Sequence, residues 1–495
     1  MIFTHTQSVL LFSALLFLIL ASYFQLSRRK ELWVIITLCF AALSIFSFAA
    51  LLDPYLNLWD ERFHALVAKN MMDQPFKPLL YENSVKSLLI DRWDGTDVWL
   101  HKQPLFLWQI ALSFKVFGLS EFSLRIPSIL LAVLFMLAVY KTAKIIVNQR
   151  VAFFSSVLII SSFYLTSLVS GKQLIEHNDI SFLAYVSLSI WSLVEYERSK
   201  KIKWLIFIGL FSGMAILCKW LVGLIVYAGW AAMRVYDREL SFKKNIDLLI
   251  ALLVTTVVAL PWQIYTFIRF PEVAAREMEY NSLHFTEVIE GHGGDAMYHL
   301  DQVDVLYGAN SLILLFISLI FAYWKISKRK YFYLFTSMLL AVYLFYTMAA
   351  TKMPSFTLVI ALVVFIFLAN LIDALLLFFN KKSFQSLAFI TVLVILVINR
   401  FEYESYVENH FNKHKEIMVN IKNTFKSLDL PENTVVFNVP GRHYIECMFY
   451  TDYTAYNDFP SKEVLMEVDS MQRPLAIFVK EQDTLPNYLK REDIT

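Results

Sequence analysis

The chain has 495 residues, 58% of them hydrophobic and 17% charged, with a formal net charge of +2 and a mean hydropathy of +0.54. That composition excludes an ordinary water-soluble domain, and the small net charge carries no sign of a nucleic-acid partner, because the basic residues gather in short connections between apolar runs. Cys39 and Cys218 fall inside apolar runs and Cys447 stands alone near the end, so no disulfide framework is expected.

Apolar runs long enough to cross a hydrocarbon core of ~30 Å recur along most of the chain. They fall at about 8–26, 32–52, 123–147, 152–170, 180–196, 203–218, 220–235, 246–267, 305–325, 331–349, 354–374 and 384–400. The first, Ser8 to Leu26, has no Lys or Arg before it and no small-residue cleavage site, and Arg28-Arg29-Lys30 follow it. It reads as a retained transmembrane helix rather than a secretory signal. Between the second and third runs lies a stretch from Asp53 to Pro127, too polar for lipid and too apolar for a free loop. It predicts amphipathic helices on the membrane surface. One starts at Asp60-Glu61 and runs through Ala65, Ala68 and Met72. Another covers Leu105 to Phe117, with Phe106, Trp108 and Phe114 toward the bilayer boundary. Lys219 separates the sixth and seventh runs with almost no loop, and Gly209 and Gly213 would let the sixth pack closely on a neighbour.

From about Phe401 the pattern changes. Glu402 to Lys426 has helical spacing, and short β-branched or aromatic runs (Val435 to Asn438, Thr454 to Asn457, Leu475 to Val479) alternate with helical stretches. The expected architecture is an all-α polytopic membrane protein of about twelve transmembrane helices over 1–400, with a first exterior loop at 53–122. A small exterior α/β domain of three or so strands follows over 401–495.

Orientation follows from the basic clusters: Arg28-Arg29-Lys30, Lys141/Lys144/Arg150, Arg198/Lys200/Lys201/Lys203, Arg234/Arg238/Lys243/Lys244, Lys325/Lys328/Arg329/Lys330 and Lys381-Lys382 occupy alternate connections. The positive-inside rule puts them in the cytoplasm, and the intervening loops and both termini outside. No inverted repeat of the transporter kind is visible.

The chemistry-bearing residues then share the exterior face. Asp60 and Glu61 fit either a helix N-terminus or a carboxylate that accepts a proton from an attacking hydroxyl. His101 and Lys102 precede the second surface helix, and Arg125 opens the third span, where it fits a membrane anchor or a phosphate contact. Asp179, with Glu176 and His177 before it, starts the fifth span; Lys219 and Lys352 sit at other exterior helix ends. Cations for a phosphate and a carboxylate for base catalysis suit an anionic lipid substrate. His284, Glu287, His292 and His299, with His101, are the candidates for a divalent metal, although their spacing matches no compact zinc motif.

In order and spacing these pieces resemble the polyprenyl-phosphate-sugar-dependent glycosyltransferases of the GT-C fold, relatives of the protein O-mannosyltransferases and the lipid A aminoarabinose transferase. The resemblance covers roughly 50–360: Asp60-Glu61, HKQPLFLWQIALSFKVFG from His101, SEFSLRIPS at 120–128, Asp179, AILCKW ending at Lys219-Trp220, LPWQIY at 260–265 and KMPSF at 352–356. It implies a bacterial inner-membrane enzyme, acting on the periplasmic side, that moves a sugar from a polyprenyl-phosphate donor to a hydroxyl on a lipid, glycan or protein, with inversion and no obligatory metal. Asp60, with Glu61, would be catalytic; Lys102, Lys219, Lys352 and Arg125 would meet the donor phosphate; Asp179 would be a second acidic site, and His101 and His284 the metal candidates. The chain departs from the family at Arg62-Phe63-His64, where Ala-Arg-Tyr is common, and at His101 and Gln103, where the motif has Glu and Pro. A transporter of lipid-linked saccharide or a catalytically silent relative are the alternatives.

Overall fold

The computed structural model describes residues 3–27, 29–86, 93–172, 177–326, 328–379, 381–401, 407, 412–479 and 486–490. Arg28, Glu176 and most of 402–411, which figured in the expectations above, lie outside the described residues. Thr4 opens α1 (His5–Leu26) with a capping box: its hydroxyl accepts from Gln7 N, and the Gln7 side chain accepts from Thr4 N. These reciprocal bonds satisfy amides that lipid cannot. α1 packs along α2 (Glu31–Ala50), and α2 along α5 (Glu121–Ile146). Between them lie two shorter helices, α3 (Asp60–Asn70) and α4 (Leu105–Phe117). On α4, Phe106 and Phe114 are buried and Leu112, Val116 and Phe117 are exposed, so the outward stripe is the opposite of the one expected. The reason is what covers the helix: Phe106 and Phe114 share an apolar core with Phe63, Leu66 and Val67 of α3 and Leu124 of α5.

The bundle continues through α6 (Gln149–Ile160), α7 (Phe163–Val169), α8 (His177–Ser199), α9 (Ile202–Lys219), α10 (Ile225–Tyr236), α11 (Ile246–Arg269), α12 (Pro271–Thr286) and two short helices, α13 (Tyr298–Asp301) and α14 (Val303–Tyr307). It ends with α15 (Ser311–Lys325), α16 (Arg329–Met348), α17 (Ala361–Leu376) and α18 (Lys382–Phe401). Among the described residues, seven helical runs are long and apolar enough to cross a membrane, or nine when two bent pairs each form one span, against about twelve expected. The shortfall has identifiable causes. α8 is diluted by Ser181, Ser187, Ser189 and Ser192, the apolar part of α18 is short, and α9 with α10 forms one uninterrupted run of 35 residues.

That last run reverses direction. Straight, its 35 residues would extend about 50 Å at ~1.5 Å per residue. Yet Arg234, near its far end, lies 3.4 Å from Glu197, just before its start. The turn is a 3-10 segment over Trp220–Leu224 that follows Lys219, with Trp220 at φ 59. α9 meets α11 through small residues, as the glycine spacing predicts: a Cβ on Gly209 would lie 2.4 Å from Ala251 O, and one on Gly213 2.6 Å from Val258 Cβ.

Charge is concentrated at the two ends of the bundle. At one end Glu31 pairs with Lys141 (3.4 Å) and Lys144, Arg150 with Asp373 (2.7 Å), and Glu197 with Arg234 (3.4 Å) and Lys330 (2.6 Å). α5 and α8 run from this end to Arg125 and His177, which meet at Glu61 at the other. The connections rich in Lys and Arg therefore share one end, and α3, α4 and the C-terminal segment share the other. In that segment β1 (Val435–Phe437) is flanked by β2 (Thr454–Ala455) and β3 (Leu475–Ile477), all parallel, with Val436 opposite Ala455 and Ala476. Helices Tyr444–Tyr450 and Lys462–Ser470 make the crossovers, and the sheet's apolar core is continuous with that of α3 and α4. Lys69 reaches across to the carbonyls of Met448 (2.9 Å) and Thr451 (2.6 Å).

Candidate active site

Beneath α3 lies a closed ionic network. Glu61 is fully buried and takes two bonds from Arg125 (2.8 Å from Nε, 2.9 Å from Nη2) and two from Asn57 (2.6 Å from N, 3.0 Å from Nδ2). His177 Nε2 stands 3.2 Å from the same carboxylate, and its Nδ1 2.7 Å from Ser128 Oγ. Burial alone would raise the Glu61 pKa, but Arg125 and His177 outweigh it and hold the group down to about 2. Arg125 gives its remaining protons to the carbonyls of Ala50 (2.8 Å), Asp53 (2.6 Å) and Tyr55 (2.9 Å). Its five donors are thus all used. Two expectations are corrected here: Glu61 does not face the cavity, and Arg125 has no proton left for a phosphate. Gly171, at φ 78, lies against this pair, and a Cβ there would fall 2.1 Å from Glu61 Oε1.

Asp60, one residue earlier, points the other way, into a cavity of about 650 Å³. Its neighbour Trp59 has φ 67, a left-handed backbone that a bulky residue adopts only under constraint. Lys102 lies 3.5 Å from Asp60, and both side chains are largely but not wholly covered. Across the cavity Lys219 pairs with the buried Asp179 and stands 5.3 Å from the centre of the Phe356 ring. Gln103, where the family motif has Pro, accepts a 2.7 Å bond from Gln263, so the segments that begin at His101 and Leu260 meet. Lys352 is corrected as well. Its ammonium donates to the carbonyls of Tyr346 (3.3 Å), Thr347 (2.8 Å) and Ala349 (2.7 Å), capping the end of α16. Those carbonyls have no partner inside the helix, and the lysine supplies it.

His101 and His284 both line the cavity, but among the described residues no three metal-ligating side chains converge. His101 stacks on Trp93, with ring centroids 4.7 Å apart, and its Nδ1 lies 3.3 Å from Glu277. Burial and Lys102 lower its pKa, and burial with Lys102 and His101 brings His284 down to about 4. His292 also lines the cavity, whereas His299 is buried against Tyr346 and Phe356.

Sequence reasoning missed Trp59, Trp93, Trp220, Tyr280, Glu290 and Arg442 as residues of the cavity wall. Trp93 Nε1 (2.9 Å) and Tyr280 Oη (3.0 Å) both donate to Glu290, joining the first loop to the segment after α12. Trp220 carried a signal, since it follows the lysine at the tight turn. Arg442 carried only the Pro440-Gly441 turn before it.

The fold and the site together define a helical membrane bundle with a charged cavity under two short helices at one end. Residues 101–265 match the family model of dolichyl-phosphate-mannose-protein mannosyltransferases. The undecaprenyl phosphate-alpha-4-amino-4-deoxy-L-arabinose arabinosyl transferase of Pseudomonas paraeruginosa is 29% identical over 202 residues, 39% of this chain and 34% of that protein. The matched stretch thus spans about a third of the length of such curated relatives. Of solved structures, ArnT of Cupriavidus metallidurans bound to undecaprenyl phosphate superposes with a TM-score of 0.65 at 14% identity, covering 89% of each chain. The archaeal oligosaccharyltransferase AglB of Archaeoglobus fulgidus gives 0.50 at 13% identity over 90% of this chain and 69% of that one. The chain is a multi-pass membrane protein with an ArnT-like fold, and part of its sequence is similar to the protein mannosyltransferases and the aminoarabinose transferases.

Proposed function

We propose that the protein is an integral-membrane glycosyltransferase that moves a sugar from a polyprenyl-phosphate donor to a hydroxyl on a lipid, glycan or protein, with inversion. The observation that carries this reading is the pairing of Asp60 with Lys102 at 3.5 Å on the wall of a cavity that also holds Lys219 and Asn178. The Asp60 carboxylate takes the proton of the acceptor hydroxyl. The acceptor oxygen bonds to the anomeric carbon, the bond from that carbon to the phosphate oxygen breaks, and polyprenyl phosphate leaves with the electron pair. Lys102 and Lys219 neutralise the growing charge on that phosphate, and Asp179 holds Lys219 in place. The displacement is written without a metal, and His101 and His284 line the cavity as the candidates to meet one. In this reading the cavity faces the periplasm of a bacterial inner membrane, and the gathering of Lys- and Arg-rich connections at the opposite end supports that orientation by the positive-inside rule.

A transporter of lipid-linked saccharide would hold ionisable groups near mid-membrane on broken helices. Here Asp60 begins α3, Asp179 lies in the first turn of α8 and Lys219 ends α9, which favours chemistry at the membrane surface. The test is transfer of labelled sugar from a polyprenyl-phosphate donor by the purified protein. Loss of transfer in Asp60→Asn with normal folding supports the assignment; full transfer in that variant would remove Asp60 as the base.

A further inference from the structure

We infer that Arg442, delivered by the C-terminal segment, is a phosphate-binding residue of the cavity, held in position by Arg62 and Glu446. The inference rests on the glycosyltransferase reading and adds a binding residue that the motif segments do not contain. Arg125 and Lys352 spend their protons on carboxylate and carbonyl oxygens. Lys102 faces Asp60, Lys219 faces Asp179, and Arg276 stands 3.5 Å from Glu277. Arg442 lines the same cavity, and among the described residues no carboxylate lies within ion-pair distance of its guanidinium. A planar guanidinium can hold two phosphate oxygens at once, and among the described residues no carboxylate competes for it.

Its backbone is constrained as well. Gly441 (φ 67) and Arg442 (φ 61) are successive left-handed residues, a conformation that costs an arginine free energy and persists only when its surroundings enforce it. The enforcement is visible. Buried Arg62 donates 2.9 Å to the carbonyl of Arg442 and 3.3 Å to each oxygen of Glu446, which is itself buried and stands 2.9 Å from His443 Nδ1. Arg62 sits two residues after Asp60, so the helix that carries the proposed base also fixes the loop that carries Arg442. This gives physical content to one departure of the chain from its relatives, the arginine at 62.

The phosphate has two possible sources, the polyprenyl-phosphate donor or a phosphorylated acceptor. The experiment uses the full-length protein in detergent and reads quenching of tryptophan fluorescence, since Trp59, Trp93 and Trp220 line the cavity. Undecaprenyl monophosphate and glucosamine 1-phosphate are titrated separately into wild type, Arg442→Ala, Arg442→Lys and Glu446→Gln. The expected result is at least tenfold weaker binding of one phosphate by Arg442→Ala, partial recovery in Arg442→Lys, weakening in Glu446→Gln, and an unchanged melting temperature in the Arg442 variants. Loss toward undecaprenyl monophosphate assigns the residue to the leaving group, and loss toward glucosamine 1-phosphate alone assigns it to the acceptor. Wild-type affinity of Arg442→Ala for both overturns the inference and leaves the glycosyltransferase reading standing. Failure of the wild type to bind either phosphate overturns both.

Discussion

Asp60 and Glu61 are neighbours in sequence, and replacing each by its amide should have opposite consequences. Glu61→Gln keeps the side-chain volume and removes the charge. It leaves Arg125 fully buried as a cation facing an amide and three carbonyls. Breaking one side of a buried pair costs about 3–5 kcal/mol, a large part of the ~5–15 kcal/mol that holds a typical domain folded. Asp60→Asn loosens a partly solvated contact at 3.5 Å and should change stability by less than about 1 kcal/mol. Chemical unfolding in detergent, followed by tryptophan fluorescence, gives the stabilities; labelled-sugar transfer gives the activities. The expected pattern is an unstable Glu61→Gln and a stable, inactive Asp60→Asn. Glu61→Gln combined with Arg125→Met should recover part of the lost stability, because no charge is then left without its partner. A Glu61→Gln protein with wild-type stability and no transfer would refute the reasoning, since it would make Glu61 part of the chemistry.

Gly171→Ala should reduce folding yield and stability severely, because the new methyl collides with the Glu61 carboxylate and the backbone is left-handed; melting in detergent reads the effect. Lys352→Met should destabilise by uncapping α16, at roughly 1–3 kcal/mol for carbonyls left without a donor. Lys102→Met should leave melting unchanged and abolish transfer. Burial pushes the His64 pKa well below 6.5, so the unfolded chain takes up a proton that the folded chain refuses, and stability falls as pH drops below about 6.5. Glu61, held near 2 from an ordinary 4.5, adds a second loss as pH falls from about 4.5 toward 2. Unfolding free energy measured against pH should therefore decline in two stages; His64→Leu should reduce the first, to which His101 and His284 also contribute, and spare the second.

By itself, the sequence determined the membrane class, the run of helices, the collection of basic connections at one end, the reversal at Lys219 and the order of the motif segments. Apolar length, charge placement and glycine spacing are local properties, and lipid leaves the backbone little choice but helix. It could not divide the charged residues between chemistry and architecture. Successive residues of a helix point ~100° apart, so Asp60 and Glu61 carry the same chemical signal and face different surroundings. Whether Lys352 reaches a substrate or caps α16 depends on carbonyls that only the folded chain brings within 3 Å of it. Arg442 reaches the cavity through a bond from Arg62, 380 positions earlier in the chain. Tertiary structure decided these roles because burial and saturation of donors, which fix what a charge can do, are properties of the surroundings and not of the residue.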